Sequence, residues 1–362
     1  MSREMKYMMS AAMLCAAAGI LLKPAALSGA VGSSVSGCLE VVIPSLFAFT
    51  VLAIYMQQSG LYRVALRPFT LPLSKLLGVP EELCAVFLLA NIGGYPVGAK
   101  LLRGLVNSGR MTRRNAGRML CCCYGSGPSF VIGTAGMQVF DSAAVGGILF
   151  GACFLSSLIL AVAVCRTGEK ITLKPSDGQN VYDFSAECFV KSVDSGARVM
   201  YTVCVMATLF AAVIALFDAA RITGVLSRLL EFAGAGENSG SVIPALLEVT
   251  RVRELHSSPL AVPLCAGILS FGGVCVLMQV TAVSGGDLPV KPLVISRMPA
   301  AAISAALAAP AMRLVSSAAV EVYSTNTAQT AAFSVNSGMS MCVLIMAGIL
   351  IYTVEQGSAD TK

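Results

Sequence analysis

The sequence has little of what a water-facing surface is made from. Charged residues make up 12% of its 362 residues, against roughly 25% in soluble domains. It has no tryptophan and one histidine, His256, which excludes a histidine-based metal site. Thirteen cysteines are present, but none has Cys-x-x-Cys spacing, and Cys121-Cys122-Cys123 are consecutive. That excludes the usual redox and zinc patterns and leaves cysteine as a small apolar residue. No basic block is interleaved with aromatics, so the formal charge of +6 does not point to nucleic acid. There is no Gly-x-Ser-x-Gly elbow, no His-Glu-x-x-His and no Gly-x-x-x-x-Gly-Lys-Ser loop. The expectation is a protein that is not an enzyme and holds no cofactor.

What is abundant is apolar. Hydrophobic residues reach 56% and the mean hydropathy is +0.79. Apolar segments run over 5–22, 39–57, 83–107, 116–139, 142–165, 197–217, 241–256, 260–283, 293–312 and 338–355. A simple span needs about 20 such residues, so the chain reads as an all-α polytopic membrane protein whose first partner is the lipid bilayer. Arg3 and Lys6, an apolar stretch and Ser28-Gly29-Ala30 resemble a signal peptide cleaved after Ala30. An uncleaved first helix is the alternative favoured in a polytopic chain.

Two segments are not simple spans. Segment 83–107 carries Asn91-Ile92-Gly93-Gly94-Tyr95-Pro96-Val97-Gly98-Ala99-Lys100 near its centre, and 241–256 is short. Gly and Pro break a helix, and backbone freed at membrane depth must be buried in protein or line a cavity. The positive-inside rule tests whether these segments cross. If both are hairpins, only Lys23, Arg221, Arg228, Arg251, Arg253 and Arg313 of the 25 basic residues lie outside. If both cross, the cluster from Lys100 to Arg118 moves outside and the outer face becomes the more basic. Charge therefore favours re-entrant hairpins, with the N- and C-termini cytoplasmic.

With hairpins, two halves of inverted topology emerge. One reads span 39–57, hairpin 83–107, span 116–139, span 142–165. The other reads span 197–217, hairpin 241–256, span 260–283, span 293–312. The third element of each is interrupted, by Gly125-Ser126-Gly127-Pro128-Ser129 and by Ser270-Phe271-Gly272-Gly273. The organisation expected is an N-terminal transmembrane helix and outside loop over 1–37 and a first repeat over 38–165. A cytoplasmic linker over 166–196 and a second repeat over 197–312 follow. An outside loop and C-terminal helix occupy 313–362. Inverted repeats with discontinuous helices place a site at the midplane in many transporters. Small-residue packing is the competing explanation for the glycines; it accounts poorly for the prolines.

The candidate site combines Asn91, Gly93, Gly94, Tyr95, Pro96 and Gly98 of the first hairpin with Glu248 and Thr250 of the second. It adds Ser126, Gly127 and Ser129 of one break and Ser270, Gly272, Gly273 and Gln279 of the other. The half-helix after Pro96 presents a positive N-terminal end. Lys100 either points to the tip or snorkels to the inner surface, the latter being favoured. Glu248 sits among apolar residues, where an ionisable group is a functional candidate by default. It would bind a cation, exchange a proton or take a polar substrate; pairing with Arg251 or Arg253 is the alternative. Hydroxyls and unwound carbonyls at the breaks suit Na⁺ or a ligand, so a coupling Na⁺ or H⁺ stays open.

At five stretches the chain resembles the YlbJ-type sporulation integral membrane proteins. These belong to the wider group with Gate, or nucleoside-recognition, domains, distantly similar to concentrative nucleoside transporters. The stretches are Ile43-Pro44-Ser45-Leu46-Phe47-Ala48-Phe49, Gly94 to Lys100, Ser126 to Gly133, Leu246-Leu247-Glu248-Val249-Thr250, and Ser270 to Cys275 with Gln279. The resemblance implies a multi-pass cell-membrane protein of an endospore former, acting in spore formation at the cortex stage. Two runs depart from the family pattern. Tyr124-Gly125-Ser126-Gly127-Pro128 replaces an Asn-Thr-Ser-Ser-Pro-like run, and Thr250-Arg251-Val252 replaces Thr-Asn-Gly, which sets a cation beside Glu248. The function expected is transport of an unidentified small polar solute by alternating access, with a homo-oligomer compatible. The alternative is a non-transporting membrane scaffold or signalling partner in spore cortex formation.

Overall fold

The computed structural model describes residues 3–174, 182–232, 236–258 and 260–322, and among these it contains helices and connections but no strand. Five described helices are long and apolar enough to cross a membrane: Pro24–Gln58, Ala143–Arg166, Ala186–Ala219, Ala261–Ser284 and Lys291–Pro310. This is the pattern of a multi-pass membrane protein. Segment 338–355 lies outside the described residues.

Helix α1 (Arg3–Leu22) is followed by α2 (Pro24–Gly37), which starts on a proline in its first turn. A π-helical turn over Cys38–Val42 joins α2 to α3 (Ile43–Gln58). The widened turn lets Pro44 follow without ending the helix, since a proline lacks the N–H that an α-turn would use. Pro24–Gln58 is thus one run of 35 residues. This corrects the expected loop before residue 38. Ser28-Gly29-Ala30 lies within α2.

Short α4 (Tyr62–Ala65) and α5 (Arg67–Leu77) lead to α6 (Glu81–Gly93), and α5 meets α6 at 109°. Helix α7 (Tyr95–Asn107) follows α6 after Gly94 alone. Helix α8 (Arg113–Leu120) is capped by Thr112, whose hydroxyl accepts from the Asn115 amide. An irregular stretch over 121–127 separates it from α9 (Pro128–Phe130) and a π-helical run over Val131–Val139. Segment 116–139 is therefore two half-helices rather than one span. Helix α10 (Ala143–Arg166) completes the first half.

The second half begins with α11 (Ala186–Ala219), which starts eleven residues earlier than the expected linker boundary. Ser185 caps it through the Cys188 amide at 3.1 Å, and Lys191 pairs with Glu187 one turn on. Asp183, held below the usual carboxylate range by hydrogen bonds from Ser185, precedes the cap. Helix α12 (Ile222–Leu230), α13 (Ser239–Leu247) and a 3₁₀ turn over Val249–Glu254 come next. Helices α14 (Ala261–Phe271) and α15 (Gly273–Ser284) form one broken span. Helix α16 (Lys291–Val322) ends the described chain, so the helix continues beyond the expected boundary at 312.

The core lies where these half-helices meet. Helix α15 packs on α7, and the Val131–Val139 run packs on the Val249–Glu254 turn. Each half thus lends the far part of its broken segment to the other half's hairpin. Every cysteine whose side chain is described is free, and all but Cys204 are buried, in keeping with an apolar packing role.

Candidate functional site

Two helical hairpins define the site. A continuous helix separates residues eight apart by about 12 Å. A Cβ at Gly98 would instead lie 3.0 Å from the Ala90 Cβ, so α7 folds back on α6. The turn is made by Gly94 with φ 96° and ψ 169°, a backbone conformation that L side chains rarely adopt. Its base is closed by Arg110, which donates to Glu82 Oε1 at 2.7 Å and Oε2 at 2.6 Å. The second hairpin is closed in the same manner by other chemistry. The Asn238 amide bonds both the N–H and the carbonyl of His256, at 2.7 and 3.2 Å, and Ser241 donates to the Glu254 carbonyl at 2.8 Å.

The hairpins approach from different ends of α11. At its start, the Asp183 backbone N–H donates to the Ser59 carbonyl at 3.2 Å, next to the first hairpin's connection. At its end, Asp218 lines a cleft together with Lys23 of the α1–α2 joint and Arg251 of the second hairpin. With α11 34 residues long, those ends lie about 50 Å apart.

The tips meet at a cavity of about 30 Å³, room for about one water. Gly94, Tyr95 and Pro96 contribute from the first tip, Glu248 and Thr250 from the second, Gly127 from the first break, and Gln279 from α15. The remaining walls are apolar: Val42, Leu46, Phe130, Val203, Val249 and Val276, with Ala207. A second cavity of about 30 Å³ shares Glu248 and Thr250 and extends toward Ser33, Arg251 and Arg253.

Glu248 is 4% exposed. Its Oε1 accepts from the Thr250 amide at 3.1 Å and its Oε2 from the Thr250 hydroxyl. The carboxylate thus caps the 3₁₀ turn. Arg251 shares the second cavity with Glu248 but pairs with Glu254 at 2.6 Å. The alternative in which Glu248 closes the hairpin by pairing with Arg251 or Arg253 is not what the structure has. Gln279 is buried, and its amide nitrogen reaches only the Cys275 sulfur at 3.3 Å.

The remaining sequence candidates do not line this cavity; they and Gly127 pack the elements around it. Asn91 donates to the carbonyls of Phe87 and Cys122 at 2.8 and 3.3 Å, tying the hairpin to the first break. Gly93 packs on Val97. A Cβ at Gly98 would overlap the Cys123 carbonyl oxygen, and one at Gly127 would lie 2.8 Å from the Ile92 oxygen. Gly273 faces Leu246 and Val249 of the second tip, and Gly272 faces the Tyr124 hydroxyl. The Ser126 hydroxyl is buried beside Tyr95 and Cys153 with no hydrogen bond of normal geometry. Ser129 is half-buried, and neither it nor Ser270 lines either cavity.

Each carbonyl at the end of α14 accepts a side-chain donor. Tyr95 donates to Leu269 O at 2.6 Å, Arg297 to Ser270 O at 3.3 Å and Tyr124 to Phe271 O at 3.1 Å. The carbonyls expected to suit Na⁺ or a ligand at this break thus each already accept one side-chain donor. Sequence reasoning missed Tyr124 and Arg297. It counted Arg297 as an inner-surface charge, yet the residue is 1% exposed. The signal was available: an arginine inside apolar segment 293–312 qualifies by the same rule that singled out Glu248.

Comparison with known proteins gives one informative match. The chain is 31% identical over 134 residues to the sporulation integral membrane protein YlbJ of Bacillus subtilis (strain 168), covering 36% of this chain and 32% of that protein. The match thus spans about a third of the relative's length. No family model matches, and no solved structure matches. The chain is a multi-pass membrane protein homologous over this stretch to a sporulation integral membrane protein.

Proposed function

We propose that this protein is a sporulation-associated transporter that moves a small polar solute across the cell membrane of an endospore former. It works by alternating access between two inverted repeats of the Gate, or nucleoside-recognition, type. Helices α6 and α7 form one re-entrant hairpin, and the α13 hairpin forms the other. The termini are cytoplasmic. The reading is of a non-enzymatic protein whose partners are the bilayer and its solute.

The observation that carries it is the meeting of both hairpin tips with Gly127 and Gln279 around Glu248 and Thr250. Broken helices and buried ionisable groups at such a meeting point are the usual elements of a solute site. The cavity of about 30 Å³ then belongs to a closed conformation that opens to admit solute. A thermal-shift screen of polar metabolites on the purified protein tests the reading. Stabilisation that disappears in Glu248→Gln with Gln279→Ala supports it. Stabilisation indifferent to both substitutions removes the site.

The same cavity supports a second reading. Its small volume and apolar walls suit a scaffold or signalling partner that keeps a transporter-derived fold. Absence of any stabilising solute, with a sporulation defect from surface substitutions that leave the tips intact, favours that reading.

A further inference from the structure

Arg297 stands where both breaks begin. Its guanidinium donates to the Cys121 carbonyl at the end of α8 and to the Ser270 carbonyl in the last turn of α14. Those carbonyls belong to the interrupted segments of the two halves. The C-terminal end of a helix carries partial negative charge, and two such ends converge here on one guanidinium. Discontinuous helices commonly satisfy these ends with a coupling cation.

Among the described residues Arg297 makes no ion pair. Its charge is met by carbonyl oxygens, by the Ser296 hydroxyl at 3.1 Å and by the Tyr124 ring, whose centre lies 4.5 Å away. An arginine buried without a carboxylate is costly unless other groups fix it. The two helix ends and the aromatic face supply that stabilisation. The neighbouring carbonyls of Leu269 and Phe271 accept from Tyr95 and Tyr124, so each of these oxygens already has a protein donor.

We propose that Arg297 is a built-in cation that takes, tethered to α16, the place a coupling Na⁺ would take at the ends of the two broken helices, so that this protein needs no sodium. The word coupling rests on the transport reading. The charge substitution does not, and a thermal readout decides it without any transport measurement.

The test is the unfolding temperature of the detergent-purified full chain at constant ionic strength, in sodium against potassium and against N-methylglucamine. The wild type is expected to unfold at the same temperature in all three. Stabilisation by sodium overturns the proposal. Arg297→Lys keeps a cation, and Arg297→Met keeps apolar bulk without charge. The lysine variant is expected to unfold at least about 5 °C above the methionine variant. A methionine variant as stable as the lysine variant overturns the proposal, since packing volume would then be the whole role. If neither variant folds, the sodium comparison on the wild type decides.

Discussion

The Arg297 guanidinium lies over the Tyr124 ring, 4.5 Å from its centre, while the Tyr124 hydroxyl reaches past it to the Phe271 carbonyl. One tyrosine therefore serves two purposes: its face holds the cation and its tip satisfies the helix end. Tyr95 lies against it, ring centres 4.9 Å apart, and bonds the carbonyl two residues earlier. Tyr124→Phe keeps the face and loses the tip, so its expected cost is that of one unsatisfied buried carbonyl, about 1–3 kcal/mol. Tyr124→Leu loses both and is expected to cost more. Thermal unfolding of the two variants checks the order; equal stability of the phenylalanine variant and the wild type would show that the hydroxyl contributes nothing.

Gly98 marks a closer approach than helix packing alone needs. A Cβ there would overlap the backbone oxygen of Cys123, which cannot rotate aside. Gly98→Ala is expected to separate hairpin and break at a cost at the upper end of about 1–3 kcal/mol or beyond. Gly147, on exposed α10 surface with nothing near its Cβ position, is the control. Gly147→Ala is expected to stabilise by about 0.5–1 kcal/mol. If both substitutions prove neutral, the contact between α7 and the first break is not as drawn.

Much of this architecture was readable from residue order. Gly94 and Pro96 in an apolar run, and Glu248 in a short one, marked two points where helices break, because backbone freedom and buried charge are local properties of sequence. The boundaries were less legible. Ser185 as a helix cap and the turn ahead of Pro44 depend on neighbours that hydropathy does not report. The packing contacts of Asn91 and Gly98 were not legible for a different reason. Whether a side chain faces a cavity or a neighbouring backbone is set by packing across more than thirty residues of sequence, as between Asn91 and Cys122. Arg297 was hidden by its position near a span's end, where a surface location is the ordinary expectation.

Thr250, not Arg251, is the partner of Glu248. Both carboxylate oxygens accept from Thr250, whereas Arg251 and Glu254 form a partly exposed pair. Arg251→Ala is expected to change stability by no more than about 1 kcal/mol. Thr250→Val removes a hydroxyl from a buried acceptor and is expected to cost about 1–3 kcal/mol. Chemical denaturation of both variants checks the contrast. A larger loss for Arg251→Ala would restore the ion pair as the element that closes the second hairpin.

The Glu82–Arg110 pair ties the two ends of the first hairpin together. Its two bonds of 2.7 and 2.6 Å hold the start of α6 against the end of α7. A single crossing by 81–107 would put those points about 40 Å apart. Glu81 and Ser108 are exposed next to the clamp, and Ser257 is exposed near the base of the second hairpin. Single cysteines at Glu81 and Ser108 are expected to react with a membrane-impermeant maleimide from the same face, and one at Ser257 from the other. The native cysteines with described side chains are buried or half-buried, which keeps their own labelling low. Labelling of positions 81 and 108 from opposite faces would make 81–107 a crossing segment, and the inverted pairing of the two halves would fall with it.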